Sequence, residues 1–339
     1  MPKLDFDFIT LGHGSGGLLT HQLLESGVFK LLANEALDAQ HDGAVLSLTG
    51  KTAFTTDSFV ISPLFFPGGN IGSLAVHGTV NDLAMCGALP EYLSLAFILE
   101  EGLPMTAFWE ILLSIKAACE AAGVKVVTGD TKVVEKGKGD KIFINTTGLG
   151  KVHPQARIGS QYIQPGDKII LSNAIAAHGI AIMSVREGLQ FESEIKSDSR
   201  SLHIQVKSLL DQIGPDLHLL RDATRGGVAT VLNEIARSAR LGIQIAQAQL
   251  PLDPQVAGVC EILGLDPLYV ANEGVFVAFV ASHRAEECVH ILQAQAGSEA
   301  AVIVGEVVAE HPQKVVLRSG IGGRRVVSLL PGEQLPRIC

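Results

Sequence analysis

Residues 71–86, IGSLAVHGTVNDLAMC, read as a helix made almost wholly of apolar and small side chains. Its glycines, alanines and serine permit close approach of a neighbouring backbone, but such a helix offers little reason for a carboxylate. Position 82 is nevertheless aspartate, which makes Asp82 the sharpest candidate for chemistry in the chain.

Around this helix the pattern alternates between short strands and helices. Helices are expected over 18–37 and 104–122, and strands over 44–48, 52–59, 91–99, 125–128 (running into Gly129-Asp130-Thr131) and 142–150. Between 151 and 167 apolar periodicity is lost and two prolines appear, which separates a domain over 1–155 from one over 156–330. The second half predicts strands over 168–172, 242–246, 274–280, 302–308, 314–318 and 324–328. It predicts helices over 176–186 and 201–212, and a third running on from the segment 221–227 to 240. Strands and helices lack the one-to-one alternation of a doubly wound sheet, and no period of 20–50 residues occurs, so two α+β domains are expected. Prolines and a glycine mark 331–339 as a flexible tail, whose nine residues could span roughly 30 Å if extended.

With 339 residues, 47% of them apolar and 18% charged, the chain is too long for one ordinary core and too apolar to be disordered. A formal charge of −9 argues against a broad grip on nucleic acid or an anionic membrane. Neither a membrane-length apolar run nor a signal peptide is evident, so a cytoplasmic protein is expected. Five scattered cysteines without a CxxC pair suggest neither a disulfide framework nor a zinc cage. Cys86, Cys119, Cys260 and Cys288 read as small buried hydrophobes. Cys339, last in the sequence, reads as exposed.

Asp82 has company. Asp42 in HDGAV, Asp57 in TTDSF, Asp130 in TGDTK and Asp222 in RDATRGG each stand at a strand end or turn. Singly such residues cap helices and turns, but together they suit a hard divalent cation, which takes carboxylate oxygens from several segments and nucleotide phosphates as further ligands. The loop Leu11 to Gly17, LGHGSGG, precedes a helix and has the composition to curl backbone N–H groups around phosphate, although a mobile turn explains it as well. His13 in it reads as an exposed loop residue. Lys132 and Glu273 are the candidates for proton transfer or phosphate contact, with solvated loop charges as the alternative. Arg225, at a helix start, either binds an anion or is merely exposed.

Taken together, LGHGSGG, TTDSFVISPLFFPGGNIGSLAVHGTVNDLAMCGALP, TGDTKVV, RDATRGGVATVLNEIA, ANEG and the terminal Pro336-Arg337-Ile338-Cys339 resemble the HypE family of hydrogenase maturation proteins nearly end to end. The family belongs to a superfamily of ATP-using enzymes that includes aminoimidazole ribonucleotide synthetase and selenophosphate synthetase. The resemblance implies two domains of the aminoimidazole ribonucleotide synthetase type, the first binding ATP and mediating a homodimer. It implies that a HypF carbamoyltransferase places a carbamoyl group on Cys339, and that ATP-driven dehydration converts this to a thiocyanate. The cyano group then becomes a cyanide ligand of the nickel-iron hydrogenase iron, with the HypC–HypD complex as its acceptor. By position, Asp42, Asp57, Asp82 and Asp222 would hold Mg²⁺, while Asp130, Thr131 and the glycines Gly12, Gly14, Gly16 and Gly17 would bind the nucleotide. Glu273 and Lys132 would handle deprotonation and polarisation of the S-carbamoyl group. Two rivals are a small-molecule synthetase or kinase of the same superfamily, with Cys339 incidental, and a nucleotide-gated scaffold whose tail only docks partners.

Overall fold

The computed structural model describes residues 6–38, 43–189, 194–330, 332, 335, 337 and 338. The chain opens with a 3₁₀ turn, Leu11–Gly14, then α1 (Leu18–Leu23), a π-helical turn (Leu24–Val28), α2 (Phe29–Leu31) and α3 (Glu35–Asp38). The single helix expected over 18–37 is thus broken. Asn34 causes the last break: its Oδ1 accepts from the backbone N–H of Ala36 and Leu37, starting a new turn, while its Nδ2 donates to the Val126 carbonyl at 2.8 Å. The strand expected over 44–48 does not form; that stretch pairs with no ladder and Val45 is fully exposed.

β1 (Thr52–Phe59) begins the first sheet, and a small hairpin of β2 (Phe65–Phe66) and β3 (Gly69–Asn70) leads into α4 (Ile71–Met85). β4 (Ala88–Glu100), α5 (Met105–Ala122), β5 (Lys125–Val134) and β6 (Ile142–Val152) complete this half. The strand order is β1-β6-β4-β5, antiparallel except for the β4/β5 pair, which α5 connects.

The second half comprises β7 (Lys168–Leu171), α6 (Ala177–Arg186), α7 (His203–Gln212), β8 (Leu217–Asp222), α8 (Gly227–Ala239) and β9 (Gly242–Ala246). α9 (Pro254–Leu263), β10 (Phe276–Val280), α10 (Ala285–Gln293), β11 (Val302–Val308), β12 (Val315–Arg318) and β13 (Arg324–Val327) follow. Its seven strands run β13-β12-β9-β11-β7-β10-β8, with β8 at one edge. Both halves mix helix and mainly antiparallel sheet, the α+β arrangement expected. No helix among the described residues is long and apolar enough to cross a membrane.

The two halves meet around α4. Asn70 caps it, accepting from Gly72 and Ser73 N–H, while Ser73 Oγ accepts from Asn70 N–H. The helix packs on β1, β4, β6 and α5 on one side and on α7 and β8 on the other, and it is buried along most of its length. Its small residues allow this. A Cβ on Gly72 would stand 2.5 Å from the Ile111 carbonyl oxygen, and one on Gly78 would stand 2.9 Å from the Phe59 ring. The tail is not free along its described residues. Leu335 packs against both main cores, and Ile338 is 3% exposed within the first.

Gly72→Ala should lower stability by about 1–3 kcal/mol through overpacking, although alanine exceeds glycine by about 1 kcal/mol in an open helix. The check is the urea midpoint; a stabilised variant would contradict this packing of α4 against α5.

Candidate active site

α4 delivers Asp82 to a cleft of about 610 Å³ between the two halves. β1 contributes Thr55 and Asp57, the end of β8 contributes Asp222, the following turn Arg225, and the segment before β10 Glu273. On β1 the odd positions turn toward α4, so Thr55 and Asp57 share the face that looks at Asp82, and Thr55 Oγ1 donates to Asp82 Oδ2 at 2.7 Å. The carboxylate that has no packing role in the helix is thus held by a hydroxyl from the neighbouring strand.

These acids raise one another's proton affinity. Burial pushes Asp57 and Asp82 above the ordinary carboxylate range, and the charge of Asp57 adds to the effect on Asp82. Asp222 is pushed up to about 7, first by burial and then by the Asp82 charge, with Arg221 opposing. Glu273 is raised most decisively, by burial and then by Asp198, Asp222 and Asp57, with Arg225 opposing. Its side chain is 3% exposed and Oε1 has no hydrogen-bond partner. Among the described residues no three carboxylate, imidazole or thiol groups already stand close enough to grip an ion. The donor set nevertheless fits a hard divalent cation that takes its remaining ligands from phosphate: oxygen donors from three segments, their ionised forms disfavoured and awaiting positive charge.

Glu273 is positioned by residues the sequence did not single out. Its N–H and that of Gly274 donate to Asp198 at 3.1 and 3.2 Å. Asn81, beside Asp82 on α4, donates to the Glu273 and Arg200 carbonyls and accepts from Leu202 N–H. Asn272 donates to the Ala223 and Val270 carbonyls and accepts from Ala176 N–H, holding Ala176 at φ 76° ahead of α6. Asn81 and Asn272 lie within the stretches TVNDLAMC and ANEG, but their burial and bonds are set by long-range contacts that sequence does not convey; Asp198 carries no sequence signal either.

The second group of candidates lies elsewhere. Asp57, Thr146, Leu95 and Gly129 stand in one row across the first sheet, so Asp130 is about 14 Å, or three strand spacings, from Asp57. Lys132 Nζ contacts both oxygens of Asp130 at 2.6 Å, and this exposed pair draws the Asp130 carboxyl below its usual range. Asp130, Thr131 and Lys132 line a separate pocket of about 360 Å³ with Gly14, Gly16 and the apolar side chains Leu24 and Phe97. Within one chain, therefore, Lys132 does not meet Glu273. The glycine loop is ordered against β5: a Cβ on Gly14 would stand 2.5 Å from Val133 N. A Cβ on Gly12 would meet Leu19 and one on Gly17 would stand 3.5 Å from Ser15 Oγ, while Gly16 is open. His13 is buried rather than exposed, its Nδ1 accepting from Thr10 N–H, because the turn folds the ring inward against Phe6. Cys119, Cys260 and Cys288 are buried as expected; Cys86, at the C-cap of α4, is exposed in the cleft. Asp42 and Cys339 lie outside the described residues.

Comparison with known proteins gives this arrangement a context. The N-terminal domain of AIR synthase related proteins matches residues 40–152, and the C-terminal domain matches residues 164–318. The chain is 50% identical over 342 residues to the carbamoyl dehydratase HypE of Azotobacter vinelandii, covering 100% of both. A crystal structure of the hydrogenase maturation protein HypE in complex with ATP superposes with a TM-score of 0.94 at 44% identity, covering 97% of this chain and 99% of that one. The HypE chain of a HypE–HypF complex matches with a TM-score of 0.80 at 43% identity, covering 91% and 99%. With identity of this extent across both domains, the chain belongs to the HypE family of carbamoyl dehydratases.

Proposed function

We propose that this chain is an enzyme that dehydrates an S-carbamoyl group on Cys339 to a thiocyanate at the expense of ATP, supplying the cyanide ligand of nickel-iron hydrogenase. The observation that carries this reading is Glu273: a buried carboxyl whose Oε1 has no hydrogen-bond partner, beside three aspartates, in the loop network on which the tail residue Ile338 also docks. In the reaction the carbamoyl oxygen takes the γ-phosphoryl group of ATP, forming a C–O–P bond and releasing ADP. Phosphate then leaves with its oxygen, and loss of the two N–H protons leaves S–C≡N. Glu273 accepts a proton from that nitrogen, a task suited to a carboxylate whose proton affinity burial has raised.

Asp57, Asp82 and Asp222, with Asp42, are assigned to Mg²⁺, which when bound supplies positive charge opposite the transferring phosphoryl group. Asp130, Thr131 and the glycines Gly12, Gly14, Gly16 and Gly17 are assigned to the nucleotide, and Lys132 to polarising the carbamoyl group. The separation of Lys132 from Glu273 supports a homodimer in which the two pockets act on one nucleotide across the subunit interface. The open face of the first sheet suits such pairing: it exposes Phe54 and Ile98 beside the polar ladder Thr56, Asn145 and Thr147. A HypF-type carbamoyltransferase would load Cys339 and a HypC–HypD complex would receive the cyano group; neither nucleic acid nor membrane takes part. An ATP-consuming reaction of this kind belongs in the cytoplasm. The domains are assigned to 1–155 and 156–330, with the acceptor tail over 331–339.

The test is single-turnover conversion of the carbamoylated chain with Mg-ATP. Glu273→Gln should slow water loss by about 10²-fold or more while nucleotide binding persists; conversion at the unaltered rate would remove Glu273 from the mechanism. Asp82→Asn, which keeps an acceptor for Thr55, should abolish ATP-dependent conversion in a folded protein, and normal turnover would contradict the metal assignment. Asp222 adds a pH test. Its folded value of about 7 lies above the ordinary 3.8, so the folded chain keeps a proton that the unfolded chain has released. Without divalent ions, this carboxyl makes stability fall as pH rises from 3.8 towards 7. Asp222→Asn should flatten that slope in urea titrations, and an unchanged slope would contradict the coupling.

A further inference from the structure

The described tail residues are held by their backbone as well as by side-chain burial. Arg186 and the Ser62 N–H both donate to the Arg337 carbonyl, and the Arg337 guanidinium donates to the Val60 carbonyl and pairs with Asp140. Ile338 is buried, and its carbonyl meets Nε2 of His178 at 2.7 Å. Leu335 reaches α6 through a gap that only glycine leaves: a Cβ on Gly179 would stand 3.0 Å from Leu335 Cδ1.

His178 is fully buried near the start of α6, edge-on to Phe66. A carbonyl oxygen only accepts, so Nε2 carries the proton, and in the neutral ring Nδ1 must accept. Ser197 Oγ fills that need at 2.8 Å, donating to Nδ1 while accepting from the Ser199 N–H at 3.0 Å. The order of donors fixes one tautomer and aims its N–H at the tail. Burial, which lowers the proton affinity of His178, keeps the ring neutral against the pull of Asp198. The same three-residue run serves the base: Asp198, between Ser197 and Ser199, accepts the N–H groups of Glu273 and Gly274. One short segment therefore orients both the histidine that meets the tail and the loop that carries Glu273.

We propose that His178 is the positioning residue of the tail, its Ser197-set tautomer holding the Ile338 carbonyl and so fixing the peptide from which the acceptor residue 339 extends. This deepens the dehydratase reading and rests on it for the role of Cys339. Through the planar peptide the bond to Ile338 constrains the first atom of the next residue, which is how one hydrogen bond to the backbone can govern the placement of a neighbouring thiol.

The experiment compares the unaltered chain with His178→Leu and His178→Gln. One readout is iodoacetamide labelling of Cys339, followed by mass spectrometry of the C-terminal peptide, with the exposed Cys86 as internal control. The other is single-turnover dehydration of the carbamoylated chain. His178→Leu should raise Cys339 labelling and slow dehydration, each by about tenfold, the scale of one buried hydrogen bond, with Cys86 labelling and ATP binding unchanged. His178→Gln, whose amide restores a donor, should recover most of both. Labelling of Cys339 that does not change in His178→Leu, or a Gln variant as impaired as the Leu variant, would overturn the proposal. If His178→Leu does not fold, Ser197→Ala decides. It leaves the ring in place, and a labelling increase of about threefold supports the latch, while no increase overturns it. If the variants alter labelling as expected but even the unaltered carbamoylated chain never loses water, the latch stands and the dehydratase reading falls. Normal dehydration with no effect of any variant has the opposite meaning.

Discussion

The close approach of other backbones to helix α4 is the constraint on which the rest of the site depends. Gly72 admits the Ile111 carbonyl and Gly78 admits the Phe59 ring, so the helix can lie between the first sheet on one side and α7 and β8 on the other. Only from that position can two adjacent polar residues act in different directions: Asp82 toward the cleft and Thr55, Asn81 toward the 200–202 segment and the Glu273 carbonyl. Larger side chains would push the sheet away, and the cleft would open at its floor. The small-residue composition that is unusual for a stable helix is thus what lets the two halves share one site.

The carboxylates of that site are in an unfavourable state on their own. Asp57, Asp82, Asp222 and Glu273 are all raised in proton affinity, and burial heads the causes for each. Arg225 moderates three of them without forming an ion pair among the described residues, which leaves net negative potential where a cation and phosphate would meet. Glu273 sits furthest from water. Its backbone is tied down through Asp198 and Asn81 while its side-chain Oε1 is left without a partner, the arrangement of a group kept for a transient bond rather than for stability.

Much of this was legible in the sequence. The strands carrying Asp57 and Asp130, the helix carrying Asp82 and the α+β character follow from periodicity and turn residues, because those elements are long or strongly patterned. Asn34 broke the helix expected over 18–37 through a side-chain cap that periodicity does not register. β8 has no strand pattern in the sequence because Leu217 to Leu220 are all buried and show no alternation. α9 carries a start signal, Asp253 followed by proline, that apolar periodicity alone does not register. The clustering of Asp57, Asp82 and Asp222 was expected, whereas the distance of Lys132 from Glu273 was not, since strand order is a long-range property: β5 and β1 lie at opposite edges of the first sheet. The same holds for His178, whose partner is 160 residues away.

Tail and cleft are joined through the segment 197–199, and the proposed reaction has the group carried by the tail transformed in the cleft. The most direct measurement is mass spectrometry of the C-terminal peptide after the chain has been loaded by an active carbamoyl donor enzyme, with and without Mg-ATP. The account predicts a carbamoyl adduct on Cys339 that loses the mass of one water only when Mg-ATP is present. An unmodified Cys339, or an adduct that persists unchanged with Mg-ATP, would contradict it.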